Sequence, residues 1–373
     1  MIKVAFCIRE DYKTRGGGDA VQMLKTKQYL EFHTKDIEIQ VLTNPAELTK
    51  DRFDLCHIFN FSTYKLSGAF IEKAKSEGIK IAASPIYWDY SVLIYAIFSK
   101  LRLSKLNSTI LSLEKLISKI IGVFYPLIFL SSKKFRAIVS SFVYNCDILL
   151  PNSEEEMTLL CQFIKRKKAT INYDVVVNAC EAHYVFDLEK QKAVNLLLAQ
   201  GNIKGDFVLQ VGRIEPIKNQ INLVKALEKD SDIPIVFIGA ISHREYYDTL
   251  ARICNRRGNV YFISEVDHEL IYDFYRRAKL HVLPSLRESP GLVSLEALSM
   301  GCPIIVSDYP YSPFETYFGE KVTKIDPLNI SDIRTKVLKE FCNNEEKKSG
   351  FKAFTWEMTA EQTYNAYVKI LKK

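Results

Sequence analysis

The sequence has little of what several common chemistries require. Its eight cysteines (Cys7, Cys56, Cys146, Cys161, Cys180, Cys254, Cys302 and Cys342) form no C-x-x-C pair. Several sit in apolar runs such as Val4–Ile8, so buried thiols in a reducing compartment are expected, not disulfides or zinc ligands. The six histidines are scattered, with no H-E-x-x-H pattern, and no D-x-D run stands where one would clamp a diphosphate through a divalent cation. A metal site is therefore not expected. The longest uninterrupted apolar stretch, Ile120 to Leu130, contains Pro126 and is shorter than the ~18 residues that cross a bilayer. No G-x-G-x-x-G run favours a nicotinamide or flavin site. No secretory signal precedes the first strand-like run at Met1–Phe6, which leads us to expect a cytoplasmic protein. Repeats of solenoid length and low-complexity tracts are missing as well.

What is present is the composition of an ordinary globular chain: 373 residues, 47% hydrophobic and 25% charged. That length exceeds what one core usually fills, so two domains are expected. Short β-branched and apolar runs recur, each followed by a helix-like stretch. In the first half they are Lys3–Ile8, Glu38–Leu42, Asp54–Phe59, Lys80–Ala83, Asp147–Leu150 and Asp174–Val177. In the second half they are Phe207–Val211, Ile235–Ile238, Asn259–Ile263, Leu280–Leu283, Ile304–Val306 and Val322–Ile325. Near-continuous apolar strands alternating with helices indicate parallel sheets buried on both faces. The expected fold class is therefore α/β, with two Rossmann-like doubly wound domains. Such sheets bind ligands beyond the carboxyl ends of their strands, here facing a shared cleft.

The expected boundaries are residues 1–190 for the first domain and 205–350 for the second. Leu188–Leu198 reads as a linker helix and Gly201–Gly205 as a hinge. The last segment carries Trp356, Ala360, Tyr364, Tyr367 and Leu371 at helical spacing, so one face of it packs on something. Ser153-Glu154-Glu155-Glu156 reads as a capping box.

Charge is unevenly spread. Residues 91–136 hold eight basic side chains (Lys100, Arg102, Lys105, Lys115, Lys119, Lys133, Lys134 and Arg136) against Glu114 alone. This segment is also rich in Leu, Ile and Phe. It reads either as an interfacial basic amphipathic insertion that touches a membrane surface or as a helical hairpin on the protein's own core. The Lys165–Lys168 cluster is short and lacks interleaved aromatics, so no nucleic-acid partner is expected.

The most informative stretch runs from His281 to Asp308. An apolar strand ends at Pro284, a loop carries Arg287-Glu288-Ser289, and Pro290-Gly291 opens a helix ending at Met300-Gly301 before another buried strand. The first amides of that helix, at Gly291, Leu292 and Val293, favour an anion or a sugar hydroxyl. Glu288 precedes them and Glu296 lies on the helix, so two carboxylates can accept from hydroxyls. In its strand–loop–helix–strand setting this stretch resembles the E-x7-E signature of the retaining glycosyltransferases of glycosyltransferase family 4. The resemblance implies the GT-B fold, a nucleotide-sugar donor, a contact of Glu288 with the donor sugar and of Glu296 with the ribose.

A second stretch, Val208 to Gln220, ends a buried strand at Gly212 and puts Arg213 and Lys218 in the following loop. Cations placed there would stabilise a leaving diphosphate more in the transition state than in the ground state. It resembles the family's G-R-x4-K motif, which implies that Arg213 and Lys218 hold the diphosphate. Arg15-Gly16-Gly17-Gly18-Asp19 follows the first strand; glycines there permit positive φ and close backbone approach. By resemblance, Gly17 and Gly18 face the diphosphate and the acceptor. Weaker similarities are Ile148–Ser153, Val175–Glu181, and Thr355-Trp356-Glu357, the last implying that helix 355–373 completes the first domain.

The sequence departs from the family where a histidine before an aspartate is frequent after the fourth strand: here Trp88 precedes Asp89. His57, Trp88 and Asp89 are the candidates for the acceptor or sugar side. Together these features lead us to expect α-retaining hexosyl transfer from a UDP- or GDP-sugar to a glycan or lipid-linked acceptor, without a metal cofactor. Two alternatives stay open: a non-catalytic nucleotide-sugar or membrane-binding scaffold, and another two-Rossmann sugar enzyme such as an epimerase or a phosphorylase.

Overall fold

All but one of the apolar runs fold as parallel strands, covered by helices on both faces. The computed structural model describes residues 1–14, 17–88, 130, 132–181, 187–264, 266–343 and 354–372. Asp89 and residues 91–129 of the basic insertion lie outside the described residues. Two compact units result: Met1–Asn178 with Trp356–Lys373, and Ala179–Thr355.

The first unit holds β1 (Ile2–Cys7), α1 (Gly18–His33), β2 (Ile37–Leu42), β3 (Leu55–Phe59), α2 (Tyr64–Glu77), β4 (Lys80–Ser84), α3 (Lys133–Asn145), β5 (Ile148–Leu149) and α4 (Glu154–Ile164). Its parallel sheet has the order β2-β1-β3-β4-β5. β3 is buried at every residue, as a central strand covered on both faces must be. Asp174–Val177, expected as a strand, is not one. Its amides at Asp174 and Val176 donate to Leu149 and Pro151, but Pro151 ends β5 after two residues, and no ladder extends beyond an isolated bridge at Tyr173. Ser153 caps α4, its Oγ accepting from Glu156 N at 2.9 Å. The Glu156 carboxylate reaches one residue further back than a capping box requires, to Asn152 N at 2.7 Å, and across to Tyr87 N at 2.8 Å.

The second unit holds α5 (Leu188–Gln200), β6 (Val208–Val211), α6 (Gln220–Ala226), β7 (Ile235–Ile238), α7 (Arg244–Arg257), β8 (Val260–Ile263), α8 (His268–Arg277), β9 (Leu280–Leu283), α9 (Leu292–Ser299), β10 (Ile304–Ser307), α10 (Phe314–Tyr317), β11 (Thr323–Ile325) and α11 (Ile330–Phe341). Its parallel sheet runs β11-β10-β9-β6-β7-β8. The strand order reverses between β6 and β9, which are paired. Doubly wound sheets open a ligand crevice at such a reversal.

The expected linker helix is no linker. Asp187 caps it, accepting from Glu189 N and Lys190 N, Val194 and Leu198 are buried, and Lys190 pairs with Glu269 on α8. It is an integral helix of the second unit, so that unit starts before residue 205. Gly201, expected in a hinge, lies so close to the Tyr261 ring that a Cβ would overlap it.

The final helix α12 (Trp356–Leu371) belongs to the first unit and packs along α1. Trp356, Ala360, Ala366, Tyr367 and Ile370 form its buried stripe. Thr359 Oγ1 donates to the Val177 carbonyl at 2.7 Å, and Lys369 pairs with Asp174 at 2.8 Å. All eight thiols are free; Cys146 is half-buried and Cys342 exposed, where burial was expected. Among the described residues, no helix is long and apolar enough to cross a membrane.

Candidate active site

The loops that follow β6 and β9 meet at the reversal of the second sheet. After β6 the chain turns at Gly212 (φ +142°) and reaches a short turn, Pro216–Lys218, before α6. Three buried amide side chains pin this loop. Gln210 Nε2 donates to the Lys218 carbonyl at 2.7 Å, and Gln220 Nε2 to the Arg213 carbonyl at 2.9 Å. Asn219, in the left-handed region at φ +56°, donates to the carbonyls of Pro284 (3.0 Å) and Pro327 (2.8 Å). Buried amide donors paired in this way fix a loop in one geometry. Leu286 N donates to the Ile217 carbonyl at 2.8 Å and stitches this loop to the one after β9.

Gly239, at the end of β7, has φ +147°, and a Cβ there would fall on the Gly212 carbonyl. Gly239→Ala is expected to lower stability by about 2 kcal/mol or more, because backbone must move to admit the methyl group. Urea unfolding should show it, together with a loss of whatever ligand the Gly212–Lys218 loop binds.

Lys218 and Glu288 are brought into direct contact: Nζ lies 2.5 Å from Oε1, with the two side chains 17% and 9% exposed. Glu288 is held at its backbone as well, its N–H donating to the Tyr311 carbonyl at 2.8 Å. Arg213 stands at the rim, half exposed, 3.2 Å from Glu215. Pro290 follows a cis Ser289–Pro290 bond. Gly291 caps α9 in the left-handed region (φ +86°); a Cβ there would press within 3.2 Å of Leu283 and 3.4 Å of Glu288. The helix therefore starts at Leu292, one residue later than expected. Gly291 is its cap, and the amides of Leu292 and Val293 are first-turn donors without intrahelical acceptors.

Glu296 lies on α9 and is 7% exposed. Its Oε1 accepts from His268 Nε2 at 3.1 Å and its Oε2 from the Tyr275 hydroxyl at 3.4 Å. Beneath the site, His281 on β9 is fully buried, with no hydrogen-bond partner among the described residues for either ring nitrogen. Burial, reinforced by the nearby Lys218 ammonium, pushes its imidazole down to about 3.

Sequence reasoning missed His268, Tyr275, Asn219, Gln210, Gln220 and His281. Only Asn219 and Gln220 carried a local hint, as amide side chains directly after Lys218.

The candidates in the first unit divide differently. His57 is no open sugar-side group: it is 1% exposed, with Nδ1 2.5 Å from the Tyr367 hydroxyl and Nε2 3.0 Å from Ser84 Oγ. It stacks on Phe59 at 4.1 Å and fastens α12 to the sheet. Burial pushes its imidazole down to about 3. Trp88 is a core residue, 1% exposed, and not a surface for a sugar. Gly17 is extended (φ −170°) and Gly18 opens α1; neither takes the positive φ that glycine permits. Gly17 instead allows close approach, since a Cβ would meet Asp19 Oδ1 at 2.8 Å. Asp19 is bound by Arg9 (3.0 Å) and Asn60 (3.2 Å). These contacts hold its carboxyl below the usual range even though burial alone would raise it. Beside this network, at the carboxyl ends of β1 and β3, a cavity of about 380 Å³ is lined by Arg9, Thr43, Ser62, Thr63 and Tyr64 among others. Among the described residues, no group of three or more His, Cys, Asp or Glu side chains is placed to hold a metal ion.

Residues 199–352 match the family described as glycosyl transferases group 1. The chain is 27% identical over 181 residues to an uncharacterized glycosyltransferase of Methanocaldococcus jannaschii, covering 43% of this chain and 44% of that one. It is 21% identical over 236 residues to the N-acetylgalactosamine-N,N'-diacetylbacillosaminyl-diphospho-undecaprenol 4-alpha-N-acetylgalactosaminyltransferase of Campylobacter jejuni, covering 61% and 60%. The matched stretch thus spans less than two thirds of either relative. Among solved structures, Anabaena Alr3699/HepE in complex with UDP and glucose aligns over 100% of this chain and 98% of its own, with a TM-score of 0.65 and 13% identity. The chain shares that fold, the GT-B arrangement of two parallel-sheet α/β domains.

Proposed function

We propose that this chain, whose residues 199–352 match the glycosyl transferases group 1, transfers a hexosyl residue with retention from a nucleotide-sugar to a glycan or lipid-linked glycan acceptor. The observation that carries this is the Lys218–Glu288 pair at the reversal of the second sheet, flanked by Arg213 and by Glu296 on α9. An ammonium and a carboxylate 2.5 Å apart and mostly buried form a preorganised dipole that a solvated loop would not hold.

Lys218 and Arg213 take the leaving diphosphate, the one as a point charge and the other as a planar fork. The first-turn amides of Leu292 and Val293 add donors for phosphate oxygens or sugar hydroxyls, and Pro290, Gly291 and Gly212 let the donor approach the backbone. Glu288 accepts from donor-sugar hydroxyls and Glu296 from the ribose. In a front-face displacement, the bond from the anomeric carbon to the diphosphate oxygen breaks while the acceptor oxygen bonds on the same face. The departing phosphate oxygen takes the acceptor proton. Two fixed cations supply the charge that a divalent metal supplies elsewhere, so transfer proceeds without added cation.

The first unit takes the acceptor, at the cavity lined by Arg9, Thr43, Ser62, Thr63 and Tyr64 among others. A membrane-borne acceptor is supported by the basic, apolar composition of residues 91–136 and by the undecaprenol-linked substrate in the name of the Campylobacter relative. UDP in the Anabaena complex supports a uridine donor.

Nucleoside diphosphate should be released only when acceptor is supplied, undiminished by EDTA, and the new linkage should keep the donor's α configuration by NMR. Release without acceptor would favour hydrolysis or another sugar-nucleotide reaction; an inverted product would exclude the front-face step.

A further inference from the structure

The Glu296 carboxylate is held from two sides. Tyr275, fully buried, donates to Oε2 from within the unit at 3.4 Å. His268, the first residue of α8, donates from the solvent side to Oε1 at 3.1 Å, with its own side chain 60% exposed. Its ring stands edge-on to Tyr272, with centroids 5.4 Å apart, which fixes its plane. A carboxylate offers about four acceptor positions. One donor on each oxygen leaves one position on each, side by side, which is the arrangement that captures two neighbouring hydroxyls.

We propose that His268 is a positioning residue for the nucleotide-sugar donor: its Nε2–H sets the rotation of the Glu296 carboxylate so that both oxygens face the vicinal diol of the donor's ribose. This rests on the donor-site reading above and adds to it a group from a different element. Without His268, the Tyr275 hydroxyl is the one remaining hydrogen-bond donor to this carboxylate among the described residues, and the carboxylate spends less time in the receptive rotamer. Proton chemistry is not required of the imidazole, and so an amide that donates from the same place suffices.

The test compares wild type, His268→Ala and His268→Gln, first by binding of UDP, GDP and their 2′,3′-dideoxy counterparts, then by steady-state kinetics with the donor that binds. His268→Ala is expected to raise the donor KM about tenfold, as loss of one hydrogen bond to a charged group does, and to change kcat far less. Its preference for the ribo- over the dideoxynucleotide should fall by a similar factor, and His268→Gln should restore both. Its melting temperature should stay near that of wild type, because the side chain is exposed. An unchanged KM and ribose preference in His268→Ala would overturn the proposal while leaving the donor site standing, as would a loss that glutamine does not rescue. Wild type that binds none of the nucleotides would overturn the donor site itself, and this inference with it.

Discussion

Lys218→Ala is expected to lower kcat/KM by about 10²–10³-fold, the usual consequence of removing one preorganised group that stabilises transition-state charge. The loss should fall mainly on kcat, because the ammonium matters most when the diphosphate gains charge. The variant also uncovers a second role. Glu288 is 9% exposed and has Lys218 at 2.5 Å, so removing the lysine leaves a mostly buried carboxylate without its cation. A lowered melting temperature should therefore accompany the lost rate. The double replacement Lys218→Met with Glu288→Gln removes both charges and should recover stability without recovering turnover. Initial rates and thermal unfolding on these variants separate the two roles. A Lys218→Ala enzyme within threefold of wild type would contradict the assignment of the leaving group to this residue.

The second large effect is on stability against pH. His57 in the first unit and His281 in the second are both fully buried, and each is pushed down to about 3. An unfolded histidine titrates near 6.5. Between those values the unfolded chain binds a proton at each site that the folded chain does not, so stability falls as pH falls below about 6.5. At pH 5 the expected loss is about 2 kcal/mol per histidine, growing further toward pH 3. Asp19, held low by Arg9 and Asn60, acts at lower pH. Its contribution is present above the usual carboxylate range and is lost only as pH falls below it, leaving the window from 6.5 to 5 to the histidines. Urea unfolding at pH 7.5, 6.5, 5.5 and 5 should show the decline in both units. His281→Leu offers the sharper comparison. Neither ring nitrogen has a partner among the described residues, so the apolar replacement should be neutral or stabilising at pH 7.5 and should flatten the acid slope. A wild-type profile flat from pH 7.5 to 5 would show that neither imidazole is held neutral.

Much of the scaffold was legible because parallel strands buried on both faces carry their burial in the chain itself. Leu280–Leu283 and Ile304–Ser307 are apolar runs that are strands in the structure. Glu288, Gly291 and Glu296 could be picked out between those runs by their resemblance to the E-x7-E signature, and Lys218 by its resemblance to the G-R-x4-K motif after Val208–Val211. What the chain does not carry locally was missed. His268 meets Glu296 across 28 residues, and Asn219 finds its acceptors 65 and 108 residues away. Leu188–Leu198 reads as a linker because Val194 and Leu198 tell that a face is buried, not which unit buries it. Gly201 reads as a hinge until the Tyr261 ring is found against it. His57 was ambiguous for the same reason. A histidine at the end of a strand looks like a site residue until a tyrosine 310 residues away is found 2.5 Å from its ring. Of the two uses that glycine permits in the Gly17–Gly18 turn, close approach at Gly17 is the one the structure takes, with Gly18 opening a helix.

The central claim is that the reversal of the second sheet is a nucleotide-sugar site with Glu296 at its ribose end. The most direct test is the thermal shift produced by a panel of UDP- and GDP-sugars on wild type and on Glu296→Ala. The account predicts that one nucleotide class raises the wild-type melting temperature and that the alanine variant loses the shift while keeping its own unliganded melting temperature within a few degrees of wild type. Equal shifts in both proteins, or none in either, would contradict it.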